Sequence, residues 1–120
     1  MARILIVDDS EIQIAPIIKT LEANGHEVIT AESGEAGVEA SKSQKPDLVL
    51  MDIVMPGLNG FQATRQITQD PETSHIPVIL ISTKAQETDK VWGARQGAKG
   101  YLVKPIEDSV LLSTINQFLS

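Results

Sequence analysis

The sequence has no cysteine, few basic residues and no long apolar run, and each of these absences excludes a class of protein. Without cysteine there is no disulfide, no thiolate metal site and no thiol catalysis, and this agrees with a location in the reducing cytoplasm. Ten Lys and Arg stand against sixteen Asp and Glu. This balance argues against non-specific nucleic-acid binding, which depends on basic side chains neutralising phosphates. No stretch approaches the roughly 20 apolar residues of a membrane span.

The length of 120 residues predicts one domain that spans the whole sequence, residues 1–120. A strand pattern begins almost at the N-terminus, so no signal peptide is expected. Nothing resembling an effector domain follows the last predicted helix. The sequence carries no dimer signature, and we expect a monomer.

Four apolar runs each end on polar residues of the kind that phosphoryl chemistry needs. These residues are Asp8 and Asp9 after the first run, Asp52 after the second, Ser82 after the third and Lys104 after the fourth. Continuous apolar runs separated by helix-like stretches are typical of buried parallel strands. Because parallel strands end at the same edge of a sheet, these side chains should meet in one crevice, where open α/β sheets bind ligands.

Strands and helices are predicted to alternate strictly. The strands are expected at about residues 3–7, 27–31, 47–51, 77–81 and 100–103, with a helix after each. Short connections force right-handed crossovers, so the fold class is α/β: a doubly wound, five-stranded parallel sheet with five helices, flavodoxin-like. The more polar second strand suits an edge. Pro16 fits poorly, since a proline inside a helix removes a backbone donor, so we expect that the first helix starts later than Ser10 or kinks near Ile12.

Each polar residue has an ordinary interpretation when taken alone. Asp8 or Asp9 could cap the first helix, Asp52 could initiate a turn, and Ser82 could cap a later helix. Lys104 would normally extend outward from a buried strand. The four features together, at the same end of four strands, favour a functional site.

The chemistry of that site follows from its residue types. Three carboxylates in one crevice repel one another unless a cation intervenes, and oxygen ligands favour Mg²⁺. A carboxylate nucleophile can accept a phosphoryl group, a transfer that needs positioning and charge neutralisation. Lys104 can supply one neutralising charge, and the Ser82 hydroxyl can donate to a phosphoryl oxygen.

Along its whole length the chain resembles the response-regulator receiver domains of two-component signalling. The motifs that carry the resemblance are Val7-Asp8-Asp9-Ser10, Leu50-Met51-Asp52 with Met55-Pro56-Gly57 and Gly60, Ile81-Ser82, and Lys104-Pro105. The resemblance implies that Asp52 is the phosphoacceptor and that Lys104 pairs with the phosphoryl group. It implies Mg²⁺ ligation by Asp8, Asp9, Asp52 and the backbone carbonyl of Val54. It also implies that Ser82 and Tyr101 are the switch residues.

The implied partners are a histidine kinase as phosphodonor and a downstream protein that binds the face formed by the fourth helix, the fifth strand and the fifth helix. The segments 51–66 and 86–98 look like twitching-motility regulators of the PilH type. The resemblance thus implies a signalling switch, not an enzyme acting on other substrates, in type IV pilus motility or a chemotaxis-like pathway.

Other functions stay open at this point. A receiver in a branched pathway can serve as a phosphate sink. An aspartate-nucleophile phosphatase typically has a second Asp two residues after the nucleophile, where this chain has Val54. A flavin-binding protein would want a phosphate loop in place of Asp8-Asp9, whose charges repel phosphate, and a pseudo-receiver would dock without phosphorylation.

Overall fold

The computed structural model describes residues 1–83 and 86–119. Within them, strands and helices alternate as predicted. The strands are β1 (Arg3–Val7), β2 (Glu27–Ala31), β3 (Leu48–Asp52), β4 (Val78–Ser82) and β5 (Gly100–Val103). The helices are α1 (Glu11–Ala23), α2 (Gly34–Ser43), α3 (Gly60–Gln69), α4 (Glu87–Arg95) and α5 (Asp108–Leu119). No strand boundary differs from its predicted position by more than one residue.

The five strands form one parallel sheet in the order β2-β1-β3-β4-β5. This order confirms the doubly wound fold, and β2 lies at an edge, as its polar composition indicated. From β1 the chain adds β2 on one side of the sheet, and from β3 it adds β4 on the other side. The helices that follow β1 and β3 therefore lie on opposite faces of the sheet. A crevice for a ligand opens at such a switch point, beyond the carboxyl ends of the strands.

The core consists of two apolar layers, one on each face of the sheet. Successive side chains of a strand point to opposite faces. On β1, for example, Ile4 and Ile6 belong to the layer beneath α1 and α5, whereas Leu5 and Val7 belong to the other layer. The strands β1, β3 and β4 therefore supply both layers, which explains why their sequences are continuously apolar.

Polar caps and one glycine place the helices relative to the sheet. The side chains of Ser10, Ser33 and Asn59 accept backbone N–H groups at the starts of α1, α2 and α3. In α2, Gly37 packs directly on Val7, and a Cβ at this position would lie 2.7 Å from a Val7 methyl carbon. A larger residue would push α2 off the sheet.

The first helix runs without a break through Pro16 and starts directly after its cap, Ser10. The missing N–H of a proline deprives the carbonyl four residues earlier of its partner, which here is Ile12. Ile12 is exposed, so water can reach this position. On α5, Leu111 and Ile115 are buried, whereas Val110 is 45% exposed.

Candidate functional site

The polar residues that follow the strands lie at one edge of the sheet. Asp8 directly follows β1, Asp52 is the last residue of β3, Ser82 is the last of β4, and Lys104 directly follows β5. Asp52 is aligned with Ile81 on β4, and Ser82 with Val103 on β5. The parallel register therefore brings together residues that are nearly a hundred positions apart in the sequence.

Three carboxylates form an acidic cluster in this crevice. Asp8, Asp9 and Asp52 each offer one oxygen, and these oxygens all lie within 4.8 Å of one another. Asp8 and Asp52 are buried and Asp9 is exposed. The capping interpretation of Asp8 and Asp9 is wrong, because Ser10 caps α1. Asp8 instead accepts the Ser10 N–H at 2.9 Å, which fixes one of its oxygens.

Lys104 extends into this cluster and not outward into solvent. Its Nζ donates to Asp8 Oδ2 at 2.8 Å and lies 3.2 Å from Asp52 Oδ1, and its side chain is 7% exposed. A third partner is Gln13 on α1, whose Oε1 accepts from Nζ at 2.7 Å. The Lys104 backbone N–H also donates to the Ser82 carbonyl at 2.7 Å, and the Lys104-Pro105 bond is cis.

The environment of Asp52 makes its ionised form costly. Burial, reinforced by the neighbouring charge of Asp8, raises the pKa of Asp52 from 3.8 to about 6, against the opposing charge and hydrogen bond of Lys104. A smaller contribution from Asp9 acts in the same direction as Asp8. The three carboxylates and one ammonium leave two uncompensated negative charges when all are ionised.

The negative charge of this cluster and its carboxylate oxygens fit a divalent cation. Every carboxylate offers a hard oxygen ligand, which suits Mg²⁺, an ion that binds through a few carboxylates and keeps water molecules. Asp8, Asp9 and Asp52 could hold it. Val54 follows Asp52 by two residues, and its side chain is 62% exposed. The role of its backbone carbonyl as a ligand stays a prediction.

The loop after β3 positions Asp52 through the start of α3. The Gly60 N–H donates to the Ile53 carbonyl at 2.9 Å. A Cβ on Gly60 would overlap the Asp52 carbonyl oxygen and would lie 2.7 Å from the Ile53 Cα. Gly57 has a φ of +74°, a conformation that glycine adopts at little cost. The Pro-Gly and Asn-Gly signals in this segment thus correspond to a loop that closes tightly on the site.

The two residues predicted to act as a switch lie on neighbouring strands. Ser82 is 2% exposed, and it does not cap α4, whose cap position is Gln86. Tyr101 is partly buried against the apolar layer that contains Leu80, the residue with which it is aligned on β4. The roles of both residues in a switch stay a prediction.

Sequence reasoning missed one polar residue of the site, Gln13. Its position four residues after Asp9 places it on the first turn of α1, next to the sheet edge. That spacing is the signal that could have identified it.

The two histidines, His26 and His75, showed no metal spacing in the sequence, and among the described residues only Asp8, Asp9 and Asp52 form a cluster suited to a metal ion.

Comparison with known proteins gives one consistent result. The family described as the response regulator receiver domain matches residues 4–116. The protein PilH of Pseudomonas aeruginosa is 62% identical over 120 residues, which cover 100% of this chain and 99% of PilH. In the described part of the chain, no helix combines the length and apolar character needed to cross a bilayer.

Solved structures agree with this match. The chemotaxis protein CheY4 of Vibrio cholerae superposes with a TM-score of 0.92 at 30% identity, with 99% of each chain covered. The receiver domain of a sensor histidine kinase from Pseudomonas aeruginosa, solved with a magnesium ion coordinated in its active-site cleft, has a TM-score of 0.90 at 27% identity. That alignment covers 98% of this chain and 97% of the other.

Proposed function

Because the chain belongs to the response regulator receiver domain family, we propose that Asp52 accepts a phosphoryl group from a phosphohistidine of a histidine kinase. The observation that carries this proposal is the position of Lys104, whose Nζ contacts the two buried carboxylates of the acidic cluster, Asp8 and Asp52. A structural ion pair would need one carboxylate, whereas a site for an anionic phosphoryl group needs excess oxygen ligands and a cation beside the nucleophile.

In the proposed reaction, a carboxylate oxygen of Asp52 forms a bond to phosphorus while the bond between phosphorus and the donor's imidazole nitrogen breaks. The electron pair of that bond stays on the imidazole, which takes up a proton. Lys104 stands where it can donate to an oxygen of the transferred group. A Mg²⁺ ion held by Asp8, Asp9 and Asp52 supplies further neutralisation of the phosphoryl charge when bound.

Two observations support Mg²⁺ in this role. The donor set consists of carboxylate oxygens that leave two negative charges after Lys104 is counted, and the related kinase receiver domain was solved with magnesium in its cleft. The exposed position of Asp9 leaves the cluster open to solvent on one side. Water ligands and phosphoryl oxygens can therefore complete the coordination shell.

We further propose that phosphorylation changes the face formed by α4, β5 and α5. The apolar residues Val91, Trp92 and Val103 are exposed on α4 and β5. In α4 the buried residue is Gly93, which packs on Leu80, so this helix is anchored less firmly than the others. Movement of Ser82 towards a phosphoryl group, followed by Tyr101, would shift α4 and alter a surface that a downstream protein reads.

The pathway follows from the similarity to PilH, which extends over the whole chain. We propose a role in type IV pilus twitching motility, with a histidine kinase as the phosphodonor. The phosphatase alternative lacks its general acid, since Val54 occupies that position with an exposed, uncharged side chain. Rapid loss of the phosphoryl group would favour the phosphate-sink form of this function, and a half-life of many hours would argue against it.

The test is the intact mass of the protein after incubation with acetyl phosphate, with Mg²⁺ or with EDTA. The expected result is a gain of one phosphoryl group that requires Mg²⁺. Asp52→Asn should show no gain, whereas Asp89→Asn, a matched change at a partly exposed position of α4, should behave as the unmodified chain does. Phosphorylation of Asp52→Asn, or none of the unmodified chain at short times and low temperature, would contradict the proposal.

A further inference from the structure

Gln13 is a polar residue of the site that the proposed reaction does not use. It lies in the first turn of α1, where its backbone N–H donates to the Ser10 side chain at 3.3 Å. Its Oε1 accepts from Lys104 Nζ at 2.7 Å, the shortest of the three contacts made by that ammonium. The two residues are 91 positions apart in the sequence, so the contact depends entirely on the packing of α1 against the end of β5.

We infer that Gln13 is a positioning residue that holds the Lys104 ammonium between Asp8 and Asp52. The inference rests on the proposed function, since it assigns Gln13 an effect on phosphoryl transfer that acts through Lys104. A lysine ammonium has three N–H donors, and here Asp8, Asp52 and Gln13 provide one acceptor for each. The three acceptors come from the residue after β1, from β3 and from α1, and together they define a single position for Nζ.

Without the Gln13 acceptor, the Lys104 ammonium could move towards a neighbouring cavity. A cavity of about 320 Å³ lies between α1 and the segment that follows β5, and its lining includes Gln13, Lys104, Pro16 and Pro105. An Nζ with one unsatisfied N–H can turn towards this cavity and be hydrated there. Gln13 keeps Nζ on the side of Asp52, where the phosphoryl group arrives.

The contact between Gln13 and Lys104 can persist while Asp52 is phosphorylated. When Asp52 is phosphorylated, Lys104 can exchange its contact with Asp52 Oδ1, the longest of the three, for a phosphoryl oxygen. The bonds to Asp8 and Gln13 need not break during this exchange. Gln13 therefore preorganises the lysine for the phosphorylated state, and interactions that are in place before the reaction cost no reorganisation during it.

The first experiment compares rate constants for phosphorylation by acetyl phosphate at saturating Mg²⁺. Gln13→Met retains the length of the side chain without the acceptor, and we expect a rate about three- to tenfold lower, the effect of one hydrogen bond of ordinary strength, since Gln13 is exposed to solvent. Gln13→Glu retains an acceptor at the same reach and should keep the rate within about twofold. The control is Gln66→Met, the same change on an exposed position of α3, which should leave the rate unchanged.

The second experiment separates positioning from a general structural effect. If Gln13 acts through Lys104, then Gln13→Met should cost nothing further in a Lys104→Met background, because the interaction is already absent. A structural effect would lower the rate by the same factor in both backgrounds. Gln13→Ala serves as a second variant that removes the acceptor, should the methionine variant fold poorly.

The third experiment needs no phosphorylation and so tests the contact independently of the proposed function. In NMR spectra with ¹⁵N-labelled lysine, the Nζ–H signal of Lys104 should be protected from water exchange in the unmodified chain and in Gln13→Glu, and broadened or lost in Gln13→Met. An unchanged signal, an unchanged rate in Gln13→Met, or an equal loss in the Lys104→Met background would each overturn the inference. Failure of the unmodified chain to be phosphorylated would instead contradict the proposed function.

Discussion

Replacing the phosphoacceptor with its neutral isostere, Asp52→Asn, should make the protein more stable at neutral pH in the absence of metal. The side chain of Asp52 is buried beside Asp8, and its pKa rises from 3.8 to about 6. The folded protein thus binds the protonated carboxyl better than the ionised one. Asparagine resembles the protonated form in shape and charge, so it removes the cost of the buried charge.

The magnitude follows from the pKa. Each pKa unit corresponds to about 1.4 kcal/mol, so a rise of about two units gives an upper value of about 3 kcal/mol for the gain in unfolding free energy. Solvent reaches the cluster from its open side and weakens this effect, so we expect a gain of about 1–3 kcal/mol. The sign depends on pH in a defined way. Because the folded-state pKa lies above the unfolded value, the ionised wild-type residue reduces stability progressively as the pH rises from about 4 to about 6. The advantage of Asp52→Asn should therefore be small near pH 4 and complete above pH 7.

The assay is urea denaturation of both proteins in EDTA, at several pH values between 4 and 8. Adding Mg²⁺ at pH 8 should reduce the difference, since a cation that binds the folded wild-type cluster stabilises it by mass action. Asp70→Asn is the control of opposite sign, because hydrogen bonds from the Glu72 N–H and from Lys42 lower the pKa of Asp70. Equal stability of Asp52→Asn and wild type at pH 8 in EDTA, or a difference that does not change with pH, would refute the reasoning.

Three further substitutions test other parts of the fold. Thr64→Val should raise the free energy of unfolding by about 0.5–1 kcal/mol in urea denaturation, because the buried Thr64 hydroxyl makes no hydrogen bond in the structure. A lower free energy of unfolding would show that this hydroxyl has a partner. Gly60→Ala should cost about 2 kcal/mol or more by the same assay and slow phosphorylation, since its Cβ would displace the Asp52 backbone; an unchanged rate would mean that the loop adapts freely. The fluorescence of Trp92, the one tryptophan in the chain and half-exposed on α4, should change when acetyl phosphate is added, and Ser82→Ala should abolish or reduce this change. An identical change in Ser82→Ala would show that α4 responds without this hydroxyl.

Much of the fold and most of the site could be predicted because the determining signals are local. Apolar runs such as Leu48–Met51 identify buried strands by composition alone, and helix starts follow from caps such as Ser33 and Asn59. Once parallel strands are inferred, the rule that their carboxyl ends share an edge brings Asp8, Asp52 and Lys104 together without coordinates.

Other features could not be predicted, because they depend on which surfaces meet. The exposure of Val110 depends on how α5 is rotated against the sheet, and the helical repeat alone does not determine that rotation. The close packing of Gly37 on Val7 likewise requires the approach of α2 to β1. A glycine in a helix gives no sign in the sequence of the neighbour for which it makes room.

The sequence by itself determined the order of the elements, the parallel sheet and the set of polar residues at its edge, since periodicity and strand ends are properties of short segments. Only the tertiary structure decided what those residues do to one another: the inward direction of Lys104, its third acceptor at Gln13 and the raised pKa of Asp52. These properties depend on burial and on distances between groups far apart in the sequence, as much as 96 positions for Lys104 and Asp8, and they arise only when helices and strands pack together.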